Sequence, residues 1–140
     1  MSSGAGKRIL YDADCGFCRW ALGWELRLDH RHELLPLAIQ DPEAQALLAG
    51  VPAERRLESW HLVDESGIVV SAGAALAPLL ADLRGGRAPA ALARRAPRLA
   101  DRAYRRVAAN RSRLGRPVSD AAKLRADELI AARRAEGSGR

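Results

Sequence analysis

The chain has 140 residues, 48% of them hydrophobic, enough for one domain that buries a core. No apolar run is long enough to cross a bilayer, and the first six residues lack the apolar centre of a secretory signal. The formal charge of +6 hides an asymmetry: residues 1–83 carry a balance of −5 and residues 84–140 a balance of +11.

Taken in order, residues 7–11 read as a short strand, and the turn that follows holds the only two cysteines, Cys15 and Cys18. A Cys-x-x-Cys at a strand-to-helix junction suits dithiol–disulfide chemistry. Unpaired N–H groups and the helix dipole favour negative charge where a helix begins. Cys15 stands at that point as the expected attacking thiolate. Cys18, one turn on, is within reach as the resolving thiol. Asp14 is placed to cap the helix. Asp12 reads either as a turn residue or as a proton shuttle between the thiols.

The helix runs over residues 19–30. Phe17, Trp20, Ala21, Trp24 and Leu28 fall on one stripe, expected to face the core, with Trp20 near enough to Cys18 to border a groove. Leu22 and Leu26 lie on another side, so a second element is expected over this helix. His30 and His32 would complete the ligand count of a zinc site with the cysteines, but ~18 Å of helix separates the pairs, so no metal is expected.

Residues 34–39 form the second strand, and Pro36 sends it to a sheet edge. Asp41 and Pro42 open a short helix ending near Leu48. Residues 59–64 and 68–71 flank Glu65-Ser66-Gly67 as a hairpin, with His61 expected to be packed rather than reactive. An alanine-rich helix spans 72–83 with Pro78 inside it, and residues 84–87 break the chain. Residues 90–95 and 97–113 are helical. Leu99, Ala103, Tyr104, Val107 and Ala108 mark the expected buried side of the second, facing Leu22 and Leu26. Residues 119–135 are expected to form a loosely held basic helix, dispensable for thiol chemistry, and 136–140 to fray.

The stretch Tyr11-Asp12-Ala13-Asp14-Cys15-Gly16-Phe17-Cys18 resembles the Tyr-Asp-Gly-x-Cys-x-x-Cys signature of the DCC-type (DUF393) proteins, a family of thiol-disulfide oxidoreductases. Val63-Asp64-Glu65-Ser66-Gly67 resembles that family's hairpin, and Tyr104-Arg105-Arg106-Val107-Ala108-Ala109-Asn110-Arg111 its last helix. Ala13 stands where the family carries glycine, and the third cysteine of many members is absent. Leu57-Glu58-Ser59 occupies the place of the cis-proline of thioredoxin-like proteins. The resemblance implies an α/β fold: a thioredoxin-like core, with a mixed four-stranded sheet and flanking helices, plus a C-terminal helical cap. The domain would span residues 7–116, followed by a mobile basic helical tail at 117–140.

Function is then expected to be thiol-disulfide exchange through Cys15 and Cys18 with Asp12, on protein or small-molecule thiols and disulfides. No cofactor, membrane or nucleic-acid partner is expected. The lack of a membrane-crossing run and of a signal-like start gives the expectation of a cytoplasmic setting, where a two-cysteine pair is reduced or catalytic rather than a structural staple. The alternatives are a protein-binding module using the pair as a redox switch, and polyanion binding by the arginine-rich part.

Overall fold

The computed structural model describes residues 6–139. The expectations for residues 1–5 and for Arg140 lie outside the described residues.

The strand β1 (Arg8–Tyr11) is followed by the helix α1 (Gly16–Leu28), the strand β2 (Leu35–Ala38) and the short helix α2 (Pro42–Leu47). Then come β3 (His61–Val63), β4 (Val69–Ser71), and a 3-10 turn at Ala72–Ala75 leading into α3 (Leu76–Asp82). The rest is helical: α4 (Arg87–Arg95), α5 (Pro97–Ala109), α6 (Arg111–Gly115) and α7 (Asp120–Ser138). The sheet order is β2-β1-β3-β4. β1 pairs in parallel with β2 from Arg8 opposite Leu35 to Tyr11 opposite Ala38, and antiparallel with β3. This is a mixed four-stranded sheet with flanking helices, consistent with an α/β thioredoxin-like plan plus C-terminal helix.

Pro36 does lie on an edge strand, where its missing N–H is tolerated. Pro78 does not interrupt a helix. The chain turns through the 3-10 segment first, so Pro78 falls in the opening turn of α3, where N–H groups have no intrahelical partner. The hairpin turn is held by the Asp64 carboxylate, which accepts from the N–H groups of Ser66 and Ile68, both at 2.9 Å. His61 is 1% exposed and fully engaged: Nδ1 lies 2.6 Å from the Ser71 Oγ and Nε2 2.8 Å from the Arg56 carbonyl.

The alternating strand residues build a core on each sheet face. Ile9, Tyr11, Leu62, Leu22, Leu26, Leu79 and Ile130 occupy one side. Leu10, Leu37, Ile39, Leu48 and Val63 occupy the other.

Three expectations need correction. First, α1 does not bury the Phe17–Leu28 stripe: its buried residues are Leu22, Gly23 and Leu26, while Trp24 is 49% and Leu28 38% exposed. Trp24 instead carries the Arg27 guanidinium over its ring at 5.1 Å.

Second, the element that covers α1 is α7. A Cβ on Gly23 would sit 2.8 Å from the Ala126 Cβ, so the two helices touch at a pair of the smallest residues. Residues 120–138 are therefore docked rather than loosely held. Ala126, Ile130 and Arg133, at helical spacing, form the buried face. Arg133, 3% exposed, pairs with the buried carboxylate of Asp29. It also donates to the carbonyls of Leu34 at 3.2 Å and Leu26 at 3.1 Å. Asp29 in turn accepts from the N–H groups of Glu33 and Leu34. The helix continues through Glu136 to Ser138, in place of the expected fraying.

Third, α5 buries no residue: Leu99 is 59% and Val107 45% exposed, and the helix stops at Ala109, with Asn110 as the break before α6. Its apolar side faces an open cavity instead of being pressed onto Leu22 and Leu26.

Candidate functional site

Extended backbone at Cys15 (φ −97°, ψ 109°) turns the chain from the end of β1 into α1. Cys15 is itself the N-cap: its Sγ accepts from the Cys18 N–H at 3.3 Å. Asp14, expected to cap, is exposed and makes no such bond. Its place in the turn is set by Asp12, whose Oδ1 accepts from the Asp14 N–H at 3.0 Å. Ala13 does not adopt a positive φ, and its N–H donates to Gln40 Oε1 at 3.2 Å. Gln40 also donates to Asp12 Oδ1 at 2.9 Å, so the loop after β2 fixes the carboxylate beside the cysteines.

Cys15 and Cys18 form a disulfide, with their Cα atoms 5.2 Å apart. Residues three apart at the start of a helix are neighbours at this distance, which lies within the range a disulfide spans, and Cys15 holds the cap position.

The residue that sequence reasoning missed is Arg111. It lies 93 positions from Cys18, yet its Nη1 approaches the Cys18 Sγ at 4.0 Å. The same nitrogen lies 3.8 Å from Asp12 Oδ2, and Nη2 donates to the Leu57 carbonyl at 3.3 Å. The only signal for it in the sequence is the family-like stretch ending in Asn110-Arg111. α6 reaches the active turn because Gly115 packs on Phe17; a Cβ there would stand 3.3 Å from the Phe17 Cβ. Cys18, Asp12 and Arg111 are thus brought together from α1, the turn after β1, and α6. His30 and His32 stay apart from them: His32 Nδ1 lies 2.8 Å from Glu136 at the far end of α7.

Two openings meet at the cysteine pair. Cys15 lines a cleft of about 400 Å³ with the charged residues Asp12, Asp14, Arg111, Arg116 and Lys123. Lys123 comes from α7, its Cε 3.2 Å from where a Cβ on Gly16 would stand.

Cys18 lines the other, an apolar cavity of about 310 Å³ between α1 and α5. Its walls include Phe17, Leu22, Trp60, Tyr104 and Val107. Trp20 packs on Phe17, with ring centroids 5.8 Å apart. Glu25, two turns beyond Cys18 on the same helix face, also lines the cavity; its charge acts on Tyr104 in the facing wall, and burial pushes its pKa up to about 8. Burial also raises Tyr104, whose Oη accepts from the Trp60 N–H at 3.0 Å.

Among the described residues no group of three or more His, Cys, Asp or Glu converges as a metal site. No helix among them is long and apolar enough to cross a membrane.

A family model described as DCC1-like thiol-disulfide oxidoreductase matches residues 9–117, a span from β1 through α6 that contains both cysteines, Asp12 and Arg111. No curated protein and no solved structure matches the chain.

Proposed function

Because the chain belongs to the DCC1-like thiol-disulfide oxidoreductase family, we propose that Cys15 and Cys18 exchange electrons with thiol or disulfide partners, Cys15 attacking and Cys18 resolving. The observation that carries this assignment is the Cys18 N–H directed at the Cys15 Sγ, 3.3 Å away at the start of α1. A thiolate at Cys15 accepts that hydrogen bond and meets the positive end of the helix dipole, and both lower its pKa.

In the reductive direction the Cys15 thiolate attacks one sulfur of a partner disulfide. The partner's other sulfur leaves as a thiolate and takes a proton from solvent. Cys18 then gives its proton to the Asp12 carboxylate and attacks the Cys15 Sγ. The second partner sulfur leaves as a thiolate and is protonated in turn. The partner has gained two electrons and two protons, and the Cys15–Cys18 disulfide has formed. An external dithiol restores the pair by the reverse route.

Asp12 is the proton acceptor in this scheme, held by Gln40 and facing Arg111. The Arg111 guanidinium beside Cys18 favours the thiolate that Cys18 must become. Sulfur carries both electrons, so the scheme uses no cofactor. A cytoplasmic setting belongs to the same reading, since a reducing compartment keeps the pair in turnover.

Alkylation at mildly acidic pH is the test. Cys15 is expected to label first, and Cys18→Ser to trap a mixed disulfide that Cys15→Ser does not. Trapping by Cys15→Ser alone would reverse the roles. Equal, slow labelling of both at the rate of a free thiol would favour a binding module with the pair as a redox switch.

A further inference from the structure

The exchange scheme uses only the cysteine end of the cavity between α1 and α5. The rest is a walled space of about 310 Å³, within the range that holds small ligands. Its lining is apolar except at a few points, and two of these are distinctive. Glu25 lines the cavity from α1, close enough for its charge to act on Tyr104 in the facing wall. Trp60 lines the same space, and its indole Nε1 is buried without a hydrogen-bond partner among the described residues. An indole N–H only donates, and a neutral carboxyl also donates. A buried donor left without an acceptor is costly, so an occupant that brings one is favoured.

We propose that this cavity is the substrate pocket for thiols and disulfides bearing an uncharged apolar arm that ends in a hydrogen-bond acceptor. The partner sulfur meets the Cys15 Sγ where the two openings join, and the arm enters this cavity past Cys18 and runs along α1 to Glu25. The proposal rests on the exchange reading above and specifies its substrate. The seven residues from Cys18 to Glu25 span about 10 Å of helix, so the acceptor belongs about seven or eight bonds from the sulfur. A carboxylate at that end is disfavoured, because it would meet Glu25 in an apolar space.

Near neutral pH Glu25 is held as the neutral acid, its carboxyl raised to about 8. The other titratable or charged groups facing the cavity are Tyr11, Asp12, Tyr104, Arg111 and, in the reduced protein, the Cys18 thiol. Both tyrosines are raised from their ordinary value of 10.0 and do not titrate with Glu25.

The test compares two disulfides of the same chemistry, those of mercaptoethanol and mercaptohexanol, which differ only in the length of the apolar arm. Each rate with the reduced protein is divided by its rate with a free cysteine peptide. The long-armed disulfide is expected to gain at least tenfold over the short one, through a lower half-saturating concentration; the four extra methylenes of the one arm that enters the cavity set a ceiling of roughly two hundredfold. Val107→Asp puts a carboxylate in the wall at a position already 45% exposed, and should bring that ratio to about one. Ala103→Phe, which fills the space, should do the same.

In the unaltered protein the ratio should fall as pH rises through about 8, where Glu25 ionises. In Glu25→Gln, which keeps a donor and cannot ionise, it should not fall. Both disulfides reacting faster than the peptide reference, with a ratio near one, would overturn the pocket and leave the exchange reading standing. Neither disulfide reacting faster than the reference would overturn the exchange reading, and this proposal with it.

Discussion

Replacing Arg133 with alanine removes the cation that pairs with the buried carboxylate of Asp29, whose side chain is 0% exposed. Truncating one partner of a buried ion pair leaves the other charge desolvated and unpaired, at a cost of about 3–5 kcal/mol. The carbonyls of Leu26 and Leu34 also lose a donor. For a chain of this size such a loss lowers the melting temperature by roughly 10–20 °C.

Urea unfolding followed by far-UV circular dichroism measures the cost, and the double variant Asp29→Asn with Arg133→Met separates charge from packing. With both charges gone the desolvation cost disappears, while the amide that replaces the Asp29 carboxylate keeps one oxygen for one of the two N–H groups, Glu33 or Leu34, that now bond separate carboxylate oxygens. The double variant should therefore be more stable than Arg133→Ala, by about 1–3 kcal/mol. If Arg133→Ala loses less than about 1 kcal/mol, or the double variant is no better than the single, the pair does not anchor α7. Should Arg133→Ala not fold, the double variant still decides the question.

Gly23→Val should destabilise by about 1–3 kcal/mol, because even a first carbon on Gly23 meets the Ala126 Cβ at 2.8 Å; Ala126→Gly in the same chain should restore part of the loss in a urea titration. His61 is held below its ordinary pKa of 6.5 by burial, so below that pH the unfolded chain takes up the proton first. Stability should therefore decline as pH falls from about 6.5 toward the folded-state pKa, and His61→Gln should flatten that slope in denaturation midpoints measured across the range. A slope unchanged by the substitution would refute this.

What can be read from the residues is local. The strand, turn and helix around Cys15 and Cys18, the hairpin at Asp64, and the edge position of β2 each follow from a few adjacent side chains. The buried face of α1 is not legible in the same way, because the helix has apolar residues nearly all round. Pattern alone cannot tell the side under α7 from the side open to the cavity.

The docking of α7 is hidden by its own composition. Its buried face consists of Ala126, Ile130 and an arginine, and an arginine reads as solvated unless its partner is known. Asp29 is that partner, disguised as a polar loop residue. Glu25 and Arg111 belong to the same class. Each is a charged residue in a helical run, given meaning only by what the fold brings opposite it.

The joint between α1 and α7 also sets an order of assembly. Asp29 and Arg133 are 104 residues apart in the chain. At a synthesis rate of about 5–20 residues per second, the acidic member waits roughly 5–20 s for its basic counterpart. Through that interval the helix carrying both cysteines has its strand but not its cover, and the two sulfurs are made long before the surface that will frame them. The earliest chemistry open to Cys15 and Cys18 is therefore that of a nascent chain, and the site assumes its final shape only once α7 has closed over α1.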